Sequence, residues 1–413
     1  MGLEYFPFGD AIEPALLSEA GLPIRWQLSA DWHPVDATVN SIGPPISCKL
    51  FPLNYLRSDF PGLATWHGDC FRISAARTSK LDWHQPMGKK LTALLFLMLT
   101  FGTTRLLALG NDEPVEFQQN GNQIDVLIAT RPFATYYFDP AVAKPYLFPL
   151  RSAKGTVITR SFPMLNDVAG EVRDEPHQRA MYFAHGSING FDFWGEAAFP
   201  KWSNHSSRTF GRTVFRKIDQ MTGGPDSGTL SVTFHLVKPD GTTIAEETQT
   251  YIFRGEENSR TIDCEFTIHA SEGPVEIGDT KEGTFAIRLV KALDSPPGHM
   301  VNSAGATGEK EIWGKRADWV DYYGNVSGED VGIAIFDHPD NFRHPTYWHA
   351  RAYGLLAANP FGVREFTRDR HQDGAYTIPA GGSLILHYRV LIHHGDYREA
   401  QVADAYKKYA AEK

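Results

Sequence analysis

The chain has 413 residues and a formal net charge of −9, from 40 Lys and Arg against 49 Asp and Glu. That balance excludes the basic nucleic-acid binders, whose affinity rests on neutralising phosphates. Of three cysteines, Cys48 and Cys70 lie early and only Cys264 lies in the body of the chain, so no internal disulfide is expected there.

Residues 1–86 show no sustained helical or alternating period, and prolines and glycines interrupt each apolar cluster. They are expected to hold little regular structure and to be a mis-assigned N-terminal extension. Residues 87–110 read as a secretory signal peptide. Met87 is followed by Lys89 and Lys90, an apolar run from Leu91 to Gly102, and the small residues Ala108 and Gly110 at the cleavage positions. The apolar run is shorter than the roughly 20 residues a membrane span needs. Residues 111–413 are then the mature chain, exported to the periplasm or secreted, with no span after cleavage.

Strand signals dominate that mature chain. Glu116 to Gln119 and Gln123 to Ile128 flank Asn120-Gly121, a hairpin turn pair. Thr135 to Phe138 follows. Leu230 to Val237, Thr243 to Phe253 and Arg260 to His269 form a meander, with turns at Asp240-Gly241 and Gly255 to Asn258. Thr284 to Val290, Val331 to Phe336 and Ser383 to His393 are later strands. The one helix begins at Asp396, with Val402, Ala405, Tyr406 and Tyr409 at helical spacing for packing on a sheet. This pattern predicts an all-β fold, one large two-sheet β-sandwich with a C-terminal helix.

Four segments concentrate chemistry. The first holds His177, Arg179, His185, Asn189 and Trp194. On an extended chain the even spacing of His177 and His185 puts both on one face, where they can bind a metal or move a proton. The second, Gly278 to Thr284, sets Lys281 and Glu282 between glycines before an apolar strand; the Lys can hold the Glu ionised as a base. The third holds Trp313 and Arg316. The fourth runs through Asp337, His338, Asn341, Arg343 and His344 to Trp348, His349 and Asn359. Nucleophile-elbow, zinc-protease, P-loop and dinucleotide motifs do not occur.

Aromatics set among polar loops on a β scaffold suit a sugar, whose ring faces stack and whose hydroxyls need partners. The reading is an enzyme acting on carbohydrate by acid/base chemistry, as isomerase, lyase or hydrolase. His177 or His185 with Glu282 supplies the proton transfers. Trp194, Trp313 and Trp348 serve as stacking platforms, and Arg179, Lys281, Arg316 and Arg343 bind hydroxyls or a carboxylate. The expected partner is a small-molecule or oligosaccharide ligand. A glycan-binding envelope protein without turnover is the alternative. A metal-dependent oxygenase using His177, His185 and a carboxylate is another, a divalent metal being the one cofactor the histidine pair allows.

The segments EPHQRAMYFAHGSINGFDFW, GDTKEGTFAIRL, WGKRADWVDYYG and FDHPDNFRHPTYWHARAYGLLAANPFG together resemble the bacterial family labelled "methane oxygenase PmoA", or PmoA-like. The resemblance runs from about Val115 to Asp396. It implies exported proteins of polysaccharide-degrading bacteria, with a fold similar to the galactose-mutarotase-like supersandwich, and the label itself implies oxygenase chemistry. Relatives show Asp-His-Pro-His where this chain has Asp174-Glu175-Pro176-His177. Were that histidine a ligand, Glu175 would take its place.

Overall fold

The computed structural model describes residues 112–198 and 209–412. The expectations for residues 1–86 and for the signal peptide at 87–110 lie outside the described residues.

Strands run in chain order as β1 (Val115–Asn120), β2 (Gln123–Ile128), β3 (Arg131–Tyr137), β4 (Tyr146–Leu147), β5 (Met181–His185), β6 (Arg212–Thr222), β7 (Gly228–Val237), β8 (Thr243–Gly255) and β9 (Ser259–His269). They continue as β10 (Val275–Ile277), β11 (Gly283–Arg288), β12 (His299–Asn302), β13 (Trp319–Val326), β14 (Glu329–Asp337), β15 (Tyr347–Trp348), β16 (Leu355–Asn359), β17 (Tyr376–Ile378) and β18 (Ser383–His394). Short helices are α1 (Glu309–Ile312), α2 (Val363–Thr367) and α3 (Val402–Tyr409).

Two eight-stranded antiparallel sheets form the expected sandwich. The first has the order β1-β2-β3-β4-β5-β11-β16-β15, the second β12-β13-β14-β18-β9-β8-β7-β6, and β10 pairs with β17 in a small ribbon. Alternation decides which side chains meet between the sheets. Phe183 and Phe285 of the first sheet stack on Phe266 and Tyr388 of the second, at ring distances of 4.2 and 5.2 Å. Such pairs add directional packing to the apolar area they bury. Inside this core, Gln249 accepts hydrogen bonds from the hydroxyls of Tyr136 and Tyr251 and donates to Glu247.

The β7–β8–β9 meander and the β1–β2 hairpin form as the sequence predicts, with Asn120 paired to Gln123 and Gly121 at positive φ in the turn. The C-terminal helix is shorter than expected. Residues 396–401 make turns, Gln401 takes a left-handed conformation, and the helix starts only at Val402. Its Val402 and Tyr409 are buried on the outer face of the second sheet, with Tyr406 and Tyr409 against Phe336.

One departure from simple alternation positions the site. Strands β2 and β9 alternate buried and partly exposed residues, whereas β5, β11 and β16 are buried at every position. Their second face is covered by loops.

Candidate active site

Parity along the three central strands divides their side chains. Met181 and Phe183, Phe285 and Ile287, and Leu356 and Ala358 belong to the core between the sheets. Tyr182 and Ala184, Ala286, and Leu355 and Ala357 point the other way and pack with Tyr146, Phe148 and Trp194. Three alanines on this outer face keep it low, so that loops come down onto it.

Glu282 joins the outer face at the end of β11. Gly186 donates its backbone N–H to the Glu282 carbonyl at 2.6 Å, and a Cβ on Gly186 would stand 2.8 Å from that of Glu282. Only glycine leaves the carboxylate side chain its place there. The loop before Glu282 is pinned by buried Asn359, whose amide donates to the Thr280 carbonyl at 2.9 Å. Its oxygen accepts from the N–H groups of Phe361 and Gly362. His349 donates from Nδ1 to the Lys281 carbonyl at 2.9 Å.

The charges around Glu282 set its state. Burial pushes its carboxyl up, but His349, the ammonium of Lys281 with its hydrogen bond, and His177 outweigh burial and take it down to about 2. Lys281 makes a direct ion pair with Glu282 and reaches Glu365 at 3.8 Å. Burial, and then the Lys144 cation, lower His177 to about 4, so its imidazole is neutral at neutral pH. Burial likewise lowers His349. Glu175 moves the opposite way: burial first, then the charges of Glu282 and Asp174, raise its carboxyl. Burial, followed by the Glu282 charge, also pushes the Tyr182 phenol well up.

Lys144, Glu196 and Arg179 form a buried ion triad beside this face, with Lys144 Nζ 3.2 Å from Glu196 and Arg179 bidentate to it at 2.8 and 2.9 Å. Lys144 also donates to the Trp194 carbonyl. On the same face, the Tyr182 hydroxyl, the Thr284 hydroxyl and the Trp194 indole N–H are buried and have no hydrogen-bond partner among the described residues. Buried polar atoms are nearly always paired. Three unpaired ones on the face that carries the partly buried Glu282 carboxylate mark where a polar ligand would be received.

The structure draws His177, Lys281, Glu282 and His349 together on this face, with Asn359 holding the loop in place. His185 departs from the one-face expectation. Strand β5 turns it with Met181 and Phe183, its Nε2 donates to the Gly278 carbonyl at 2.7 Å, and its ring packs edge-on against Phe361. His177 instead precedes the strand, in the loop that packs at Trp194. Even spacing fails because the stretch before Met181 is not extended strand.

Other candidates serve the fold. Arg179 is taken by Glu196. Asn189, at positive φ, accepts from the Glu276 N–H in a turn. Trp194 and Trp348, expected as platforms, are buried at 1% and 0% exposure, and the Trp348 indole donates to the Ala317 carbonyl. Trp313 is half-buried, edge-on to Phe366 and His349. Arg316 donates to the carbonyls of Arg343, His344 and Pro345, and Arg343 to those of Pro360, Gly374 and Ala375. Asp337, fully buried, gathers Asn341, His344 and the Thr346 N–H. His338 lies at the chain's end, donating to the Glu412 carbonyl. These residues brace one long loop.

Glu175, Tyr182, Thr284, Lys144 and Glu196 were absent from the sequence-based site. Tyr182 and Thr284 alternate with core residues in their strands, but nothing local shows that the face they occupy is covered.

The oxygenase expectation requires His177 and His185 to converge with a carboxylate. They lie on opposite sides of the first sheet, and His185 commits Nε2 to a carbonyl, so these residues do not fit that metal centre. Among the described residues, no group of three or more His, Cys, Asp and Glu is placed to hold a metal ion.

Fold and site together define a two-sheet β-sandwich protein whose loop-covered outer face carries a partly buried carboxylate, Glu282, drawn well below its ordinary value. The family of unknown function DUF6807 matches residues 123–407, and the chain belongs to that family. No curated protein matches it in sequence. Among solved structures, the α-galactosidase from Lactobacillus brevis is similar at 8% identity over 69% of this chain, with a TM-score of 0.34, and the chain spans 40% of that protein's length. A galactose mutarotase-like protein from Clostridium acetobutylicum is similar at 10% identity over 69% of this chain and 100% of that one, with a TM-score of 0.33. Another from Lactobacillus casei is similar at 9% identity, covering 68% and 100%, with a TM-score of 0.32. None of these likenesses carries an argument about activity.

Proposed function

We propose that this protein binds a carbohydrate on the outer face of the first sheet and acts on it by proton transfer, with Glu282 as the base. The observation that carries this reading is a partly buried carboxylate, Glu282, held ionised by His349 and Lys281 on a face with three unpaired polar groups, those of Tyr182, Thr284 and Trp194. Hydroxyl and indole groups suit a polyhydroxylated ligand, since each can pair with a sugar hydroxyl. A base must be unprotonated at working pH, and a carboxyl pulled down to about 2 is.

We also propose that the chain is exported through the signal at 87–110 and that its mature form begins at Asn111, which N-terminal sequencing of the secreted product would check. The segments resembling the PmoA-labelled proteins include 177–178 and 278–284, which supply His177, Lys281 and Glu282. We extend these three residues of the proposed site to those proteins, which carry His where this chain has Glu175.

The test is the purified full chain against a panel of aldoses, uronates and oligosaccharides. Mutarotation is followed by polarimetry, hydrolysis by reducing ends and elimination by ultraviolet absorbance. Turnover of one panel member that drops at least ~100-fold in Glu282→Gln is the expected result. Sugar binding without turnover would favour a glycan-binding protein. Turnover unaffected by Glu282→Gln would refute the assignment.

A further inference from the structure

The site as described has a base, Glu282, and the Lys281 ammonium beside it is held against that base in an ion pair. Both histidines on the face are lowered by burial, so neither carries a spare proton at neutral pH. The Tyr182 phenol is raised far out of range of a ready donor. One carboxyl remains, and it sits in a segment built to hold it.

Glu175 takes a left-handed backbone conformation at φ 41°. Residues other than glycine keep that conformation only where the surroundings impose it. Arg160 imposes it. This side chain, 2% exposed, donates to the Asp174 carbonyl at 2.7 Å, the Asp174 carboxylate at 2.6 Å, the Glu175 carbonyl at 2.8 Å and the Gln178 carbonyl at 3.0 Å. Arg288, also buried, adds contacts to Asp174 and the Gln178 side chain. Two buried arginines thus clamp the turn from both ends. Its product is the placement of the Glu175 carboxylate 3.6 Å from Nδ1 of His177, with the Glu175 side chain 37% exposed. Glu282 is close enough for its charge to act on Glu175.

We propose that Glu175 is the proton donor of this site, working opposite Glu282 as the proton acceptor. The inference rests on the carbohydrate reading above and deepens it. Two carboxyls whose surroundings push them apart divide acid from base between them. The groups facing Glu175 are Arg160, Asp174, His177, Glu282, Arg288 and Tyr353. Burial and the two carboxylates raise its carboxyl and the two arginines lower it, and the balance lies above the ordinary carboxylate value.

The step balances without any oxidant or co-reactant. The O–H bond of Glu175 breaks and its proton goes to a substrate oxygen as the bond from that oxygen to carbon breaks. The electron pair that forms the new double bond comes from a substrate O–H or C–H bond, whose proton passes to Glu282. Glu175 ends ionised and Glu282 protonated, and the proton returns through water at the exposed Glu175 side.

The test is a carbon-13 titration of labelled glutamate carboxyls in the full chain. Glu175→Gln and Glu282→Gln assign the signals, and the sugar panel is run in parallel. The expected result is a Glu175 carboxyl that titrates above Glu282 and moves down when Glu282 becomes Gln. On any sugar the unaltered protein turns over, Glu175→Gln lowers kcat at least ~100-fold with KM within a few-fold, and Glu175→Asp restores part of it. A Glu175 carboxyl titrating at or below its ordinary value, or indifferent to Glu282→Gln, overturns the proposal whatever the panel shows. So does undiminished kcat in a folded Glu175→Gln. Titrations as expected with no sugar bound or turned over would instead overturn the carbohydrate reading and leave the donor–acceptor pair standing.

Discussion

Glu247 lies between the two sheets, fully buried, and burial pushes its carboxyl from the ordinary 4.5 to about 8, against a small opposing pull from its Gln249 hydrogen bond. No cation pairs with it there among the described residues. A carboxyl raised in the folded state adds stability that is whole below the unfolded value and is lost as pH rises toward the folded one. The loss therefore falls between pH 4.5 and about 8. At about 1.4 kcal/mol per pH unit, the protein at pH 7 has lost about 3 kcal/mol relative to acid conditions, because the unfolded chain ionises there while the folded core keeps the carboxyl neutral. Glu247→Gln keeps the shape and the oxygen that accepts from Gln249 at 2.6 Å, and never ionises. Urea unfolding of both proteins across pH 5 to 9 measures the difference. The variant should exceed the parent by about 3 kcal/mol near pH 7, and the gap should close toward pH 5. Parallel curves across that range would refute the claim that the core holds the Glu247 carboxyl protonated.

Asn359→Ala should leave the Thr280 carbonyl and the N–H groups of Phe361 and Gly362 without their partner, costing about 2–4 kcal/mol in urea unfolding; a loss under ~0.5 kcal/mol would contradict the pinning role. Gly186→Ala would put a Cβ 2.8 Å from that of Glu282. The crowding should cost about 1–3 kcal/mol and displace Glu282, visible as a shifted carboxyl carbon-13 signal. His393 faces acceptors at both ring nitrogens, Asp321 at 2.8 Å and the His394 carbonyl at 3.3 Å. Burial lowers it, but the Asp321 charge and hydrogen bond win and raise it. Its contribution to stability is whole below pH ~6.5 and lost as pH rises through the folded value, so His393→Gln should flatten that alkaline decline; an unchanged slope would argue against a cationic His393.

Much of the fold is legible in the chain alone. In β9 every second residue from Ile262 to Ile268 is apolar, and a strand's period of two then dictates which face turns inward. Gly121 lets the first hairpin close because its backbone tolerates positive φ. The start of α3 was less legible. Asp396 accepts from the N–H groups of Arg398 and Glu399, as a helix cap would, yet Gln401 breaks the run.

The site divides along the same line. Glu282 and His177 stand out in the sequence as titratable residues beside glycine or proline in polar segments. Their neighbours Tyr182 and Thr284 do not, since a tyrosine or threonine in a strand has the same local sequence whether its face meets water or a covering loop. That His185 turns inward, and that four of the cationic candidates spend their charge on Glu196, Glu282 or loop carbonyls, depends on contacts between residues far apart in the chain. Alternation is a local property and was readable. Which face is buried twice, and which buried polar groups remain unpaired there, is decided only when the sheets pack and the loops come down.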